Sequence, residues 1–107
     1  MTLREGSIVR IDVALTTGRP GVVASIEPQT GRVIVLWGTG TLRPHLRHVA
    51  VVPREPAGMA LGLTKPTYFY TSNAWKGLPE SEWLHERPGM CPRDLLVALR
   101  ALIGAWK

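Results

Sequence analysis

The sequence predicts a mainly β protein: a five-stranded barrel in the first half, with one further strand and a C-terminal α-helix packed on it. Three observations carry that expectation. Runs rich in Val and Ile recur between glycine-bearing turns from Ser7 to Val52. One of those runs is apolar on both faces, and the chain closes on an amphipathic helical pattern able to cover the surplus face.

The runs are Ser7–Val13, Gly21–Ile26, Arg32–Trp37 and Val49–Val52. β-branched side chains lose χ1 freedom in a helix and suit a pleated surface, and the short spacings allow only hairpins. In the first run Val9, Ile11 and Val13 alternate with Ile8, Arg10 and Asp12, the period of a half-buried strand. Pro20 has no N–H to give a ladder, which places it at a strand start or edge. Glu27-Pro-Gln-Thr-Gly31 and Gly38-Thr-Gly40 read as turns, and Pro44–His48 as a single helical turn ahead of the last barrel strand. In the third run Val33, Val35 and Trp37 share one face and Ile34 and Leu36 the other, so the outer face needs a cover. After Pro53 the sequence becomes a Pro/Gly-bearing connection, and residues 54–107 read as an extension packed on the 1–53 barrel as one domain. Thr67–Ser72 has the composition of an extra strand, whereas Asn73–Gly89 reads as irregular with a turn of helix around Glu82–His85. A helix is expected over 92–104, opened by Pro92 and an early acidic residue, with Leu95, Leu96, Leu99, Leu102 and Ile103 forming one stripe. That stripe either packs on the barrel or serves a homodimer or partner.

Composition narrows the classes. With 107 residues one core is expected, and no apolar stretch approaches the ~18–20 residues that cross a bilayer. The acidic Glu5 stands where an export signal would be apolar, which leads to the expectation of a cytoplasmic protein. Cys91 is the single cysteine, so an internal disulfide and a cysteine-rich zinc site are excluded. The net charge is +5 and ten of the thirteen cations are Arg, the planar donor suited to phosphate, which points to an anionic partner.

The stretch Gly6–Ile11, Thr17-Gly-Arg-Pro-Gly-Val-Val23, Thr30-Gly-Arg-Val-Ile-Val-Leu-Trp-Gly38 and His45–Val52 resembles the SH3-like small-barrel superfamily, in particular its KOW and Tudor-like members. The resemblance covers the first half of the chain. It implies a barrel that presents its loops for binding, and for KOW-like members a place beside RNA or a transcription complex through loop cations. Tudor-type cages for methylated side chains need several aromatics, and this half carries Trp37 alone; others would have to come from Tyr68, Phe69, Tyr70 or Trp75. Reductases on the same barrel use a Val-Gln-Ile-Tyr segment that has no counterpart in Thr41–Leu46.

No phosphate-cradling glycine loop, His-Glu-x-x-His, Gly-x-Ser-x-Gly or spaced carboxylate pair occurs, so no enzyme activity, cofactor or metal is expected. His45 and His48 would need His85 or Cys91 from the other half to complete a zinc site. The expected function is a non-catalytic binding module for nucleic acid or a nucleoprotein complex, with Arg19, Arg32, Arg43, Arg47 and Arg54 as the contacts. The alternative is a protein-interaction or assembly factor of the kind carried by phages and mobile elements. It would act through the aromatic segment, with Trp75 and Trp83 as partner contacts, or through the last helix.

Overall fold

The computed structural model describes residues 3–13 and 16–104. Six strands and two helices follow in the order β1 (Ser7–Val13), β2 (Thr16–Ile26), β3 (Val33–Thr39), β4 (His48–Val51), α1 (Pro56–Ala60), β5 (Thr67–Gly77), β6 (Leu84–Met90) and α2 (Arg93–Gly104). The strands form one antiparallel sheet of order β4-β5-β3-β2-β1-β6. Among the described residues no ladder joins β4 to β6, so the sheet is open where a closed five-stranded barrel was expected. The reason lies in the second half of the chain. β5 inserts between β3 and β4, and β6 adds to the free edge of β1, so both become part of the sheet.

The two faces of β3 divide the core. Ile34 and Leu36 join Ile8, Val22 and Ala24 on the face that α2 covers with Leu95, Leu99, Leu102 and Ile103, and Val51, Leu61 and Phe69 complete this cluster. The helical stripe thus lies on the surplus apolar face, the first of the two uses its spacing allows. Arg100 adds a tether, its Nε donating to the carbonyl of Ala24 at 3.2 Å, and its guanidinium pairs with Glu5. Ala24 is the extra residue where the β2–β3 register slips, a bulge that leaves its backbone outside the regular ladder.

On the other face Val9, Ile11, Val23, Val33 and Val35 are fully buried, and no residue of either helix belongs to their cluster. Leu84 from β6 and Trp75 from β5 pack into it, together with Leu3, Val13, Ile26 and Trp37. Residues from strands so far apart in the sheet meet only if the sheet curls over that face, the response of a twisted sheet with an apolar concave side.

Several segments differ from expectation. The connection after Pro53 holds the short helix α1, and β2 begins at Thr16, ahead of the expected Gly21, with Pro20 inside it paired to Arg10 of β1 and left unpaired on the β3 side. Residues 82–85 are not helical: β6 begins at Leu84, and every residue from His85 to Met90 is exposed. The expected extra strand is longer than Thr67–Ser72 and runs on to Gly77. Pro44–His45 forms a turn closed by the Leu46 N–H on the Arg43 carbonyl at 3.0 Å. No helix of the described residues is long and apolar enough to cross a membrane.

Candidate functional site

Both ladders flanking β3 let go at the same residue. On one side the β2–β3 pairing ends at Gly21 opposite Trp37, because the next residue of β2, Pro20, has no N–H to donate. On the other side Leu36 pairs with Ala74 and Gly38 with Phe69, so Trp37 alone stands against the four residues Tyr70–Asn73. The backbone opens around Trp37, and a cleft lies on either side of its indole.

The first cleft, about 280 Å³, is polar and is lined by Arg19, Trp37, Thr39, Thr41, Arg43, Leu46, Tyr70, Ser72 and Asn73. Arg19 occupies the fork where β2 departs from β3. Its guanidinium carbon lies 5.9 Å from the centre of the Trp37 ring, and Nη1 reaches the Thr39 hydroxyl at 3.5 Å. Its Nε is buried and has no hydrogen-bond partner among the described residues, which is costly for a guanidinium N–H. Tyr70 shapes the opposite wall: its phenol donates to the Thr41 carbonyl at 2.8 Å and accepts the Arg43 backbone N–H at 2.6 Å. The Arg43 side chain is exposed at the rim. No carboxylate or histidine lines this cleft.

The second cleft, about 530 Å³, is mostly apolar and is lined by Asp12, Val13, Trp37, Ala74, Trp75 and Trp83. The aromatics missing from the first half of the chain are therefore supplied by the second. Trp75 lies on β5 opposite Val35. Trp83 is 51% exposed but fixed at its backbone, accepting the Asp12 N–H at 3.0 Å and donating to the Ser81 hydroxyl at 3.2 Å. Asp12 sits where the β1–β2 register slips, with Thr17 and Gly18 both opposite it. Its Oδ1 accepts the Gly18 N–H at 2.8 Å, and Oδ2 lies 3.2 Å from His85 Nε2. The Gly18 hydrogen bond first, and His85 second, hold this carboxyl below its usual value of 3.8. Gly18 has φ +67°, a conformation that glycine adopts without strain.

Of the five arginines expected to act together, Arg19 and Arg43 share a cleft. Arg47 is exposed beside it, next to Leu46. Arg32 sits in the β2–β3 turn, where its charge helps lower the Glu27 carboxyl after Lys76, which pairs with Glu27 at 2.9 Å. Arg54 is exposed in the turn ahead of α1. Trp75 and Trp83 do come together. His48 is held by the Leu46 carbonyl at 2.7 Å and packs against Tyr68 and Tyr70, while His85 belongs to Asp12. Cys91 is buried, and burial pushes its thiol up to about 11. Among the described residues no three His, Cys, Asp or Glu side chains form a metal-holding group. Thr39 and Thr41 carry no sequence signal for a binding cleft, and neither does Asp12, whereas Tyr70 is among the aromatics that a cage would borrow. The Thr17-Gly18 pair is the one sequence signal that bears on Asp12, since a glycine there permits the bulge.

Comparison of the chain with protein families, curated proteins and solved structures finds no match, so the function is argued from the two clefts alone.

Proposed function

We propose that this protein is a non-catalytic binding module, with an opened SH3-like roll of the KOW or Tudor-like kind, that takes a segment of nucleic acid across the Arg19–Arg43 cleft. The observation that carries the reading is the Arg19 guanidinium, its carbon 5.9 Å from the centre of the Trp37 ring, in a cleft that also holds Arg43 and three hydroxyl side chains besides the Tyr70 phenol. An anionic oxygen in the cleft pairs with these two guanidiniums, and the net charge of +5 favours a polyanion.

Two phosphates neutralised on a single strand give a log–log salt slope of about −1.4, so affinity should fall about sevenfold between 50 and 200 mM salt. The test is fluorescence anisotropy of labelled single-stranded DNA and RNA at both salts, with gel analysis of the recovered strand. Arg19→Ala and Arg43→Ala should each weaken binding severalfold, Arg32→Ala and Arg54→Ala hardly at all. Absent binding, or loss of the same size in all four variants, refutes the cleft, and a cleaved strand refutes the non-catalytic reading. A protein-interaction function draws support from the exposed Trp83. The apolar stripe of α2 is taken up by the core, which leaves the tryptophan surface for it, and an oligomeric mass that Trp83→Ala abolishes would favour it.

A further inference from the structure

The tryptophan cleft adjoins the arginine cleft through Trp37, and this continuity decides what fits it. We propose that it receives one unstacked base of the strand whose phosphates lie on Arg19 and Arg43, and that Asp12 selects bases bearing an amino group over thymine or uracil. The proposal rests on the nucleic-acid reading above and adds a base site with a stated preference.

Three features of the cleft support it. Three tryptophans, Trp37, Trp75 and Trp83, line it, and stacking on an aromatic ring accepts any base. Its polar group is a carboxylate, which when ionised only accepts hydrogen bonds. Of its roughly four lone-pair positions, Gly18 and His85 use two, so two remain for donors on a base edge. Cytosine offers N4–H₂ where thymine offers the O4 acceptor, and a carboxylate pairs with the first and repels the second. The same charge keeps phosphate out of this cleft and directs it to the arginine side of Trp37. A free cation is a poorer guest, because His85 Nε2 already occupies one Asp12 oxygen at 3.2 Å and the Arg19 guanidinium carbon lies 5.9 Å from the centre of the Trp37 ring.

The test follows tryptophan fluorescence and anisotropy with single-stranded octamers of deoxycytidylate and of thymidylate at low salt. The native protein should bind the cytosine octamer about tenfold more tightly, with quenching of tryptophan emission. Asp12→Asn keeps an oxygen for the Gly18 N–H and gains an amide donor, so it should bring the two octamers within about twofold. Trp83→Ala removes a half-exposed wall and should weaken both octamers about tenfold, with unchanged circular dichroism. Equal affinity for the two octamers, sensitive to Arg19→Ala but not to Trp83→Ala, overturns the base site and leaves the phosphate cleft standing. Binding of neither octamer overturns both readings. Quenching by tetramethylammonium that no octamer reverses assigns the cleft to a cation and overturns the base site.

Discussion

Leu99→Ala tests the architecture on which both clefts depend. Leu99 lies in the middle of α2 with no exposed surface, in the cluster shared with Ile34 and Leu36 of β3. Truncating a buried leucine costs its transfer free energy plus the cavity left behind, about 3 kcal/mol within a usual range of 2–5. A domain of 107 residues unfolds with roughly 0.22 kcal/mol/K of entropy near its midpoint, so Tm should fall by about 13 °C. Val97, on the same helix but 57% exposed, is the control. Val97→Ala removes little buried surface and gains helix propensity, so its effect should stay within about 0.5 kcal/mol, or about 2 °C. Thermal unfolding followed by circular dichroism measures both variants. Equal shifts, or a loss below about 4 °C for Leu99→Ala, would mean that α2 does not cover the sheet and that the outer face of β3 is shielded by something else.

Three further outcomes are expected. Gly58→Ala in α1 would place a Cβ 2.8 Å from Pro53 Cα and closer still to the Val52 carbonyl, both backbone atoms, so α1 must shift; a loss of about 1–3 kcal/mol is expected in urea unfolding, and a neutral result would contradict the packing. Burial, and then the charge of Asp94, hold the Cys91 thiol neutral up to about 11, against an ordinary value of 9.0. Its contribution to stability is therefore full below pH 9 and lost as pH rises towards 11, by at most about 2–3 kcal/mol, so the urea midpoint should fall more steeply over that window in the native chain than in Cys91→Ala. The Asp12 carboxyl is depressed, so its cap on Gly18 is present above 3.8 and is lost as pH falls through the lower folded value; the Gly18 amide resonance should titrate below 3.8, and a midpoint at or above it would break the assignment.

What the sequence made legible follows from where its side chains carry a signal. β3 shows two apolar faces, so the need for a cover could be read from five residues, and α2 begins at Arg93, one residue inside the expected range. β6 gave no such signal. Among Leu84–Met90 only Leu84 is buried, Pro88 and Gly89 interrupt any strand pattern, and the segment is held by backbone pairing to β1, which no local composition reports. The extra strand expected at Thr67–Ser72 stops short of the end of β5 because the β5 ladder slips between Phe69 and Ala74. Thr67 and Phe69 are buried on one side of that slip, Trp75 serves the other core after it, and a single alternating pattern cannot span both. Closure of the sheet failed as an expectation for a related reason: hydrophobic alternation says which face a residue takes, but not which strand becomes its neighbour.

The same irregularities that hid the elements make the clefts. A regular sheet would have paired Trp37 on both sides and left its indole as one more core residue. Pro20 ends one ladder and the Tyr70–Asn73 segment interrupts the other, so the indole becomes a partition with arginine on one side and a carboxylate on the other. The slip that sets Thr17 and Gly18 opposite Asp12 places its carboxylate beside Trp83, which β6 brings from the far end of the chain. The grouping of arginines near one another in sequence was thus a weaker guide than the breaks in the strands. Arg43 joins Arg19 from the β3–β4 connection, whereas Arg54, close to Arg43 along the chain, does not line its cleft. The consequence is directional: perturbing the breaks should alter binding with little loss of stability, and perturbing the regular strands should do the reverse. Ser72 and Asn73, partly or fully exposed in the interruption and free of the Tyr70 staple, are where that separation is sharpest. Shortening the segment by deleting Ser72 should tighten the β3–β5 ladder and close the polar cleft. Oligonucleotide affinity should then drop at least tenfold while Tm stays within a few degrees, and a deletion that lowers both in proportion would show that the interruption supports the fold rather than the site.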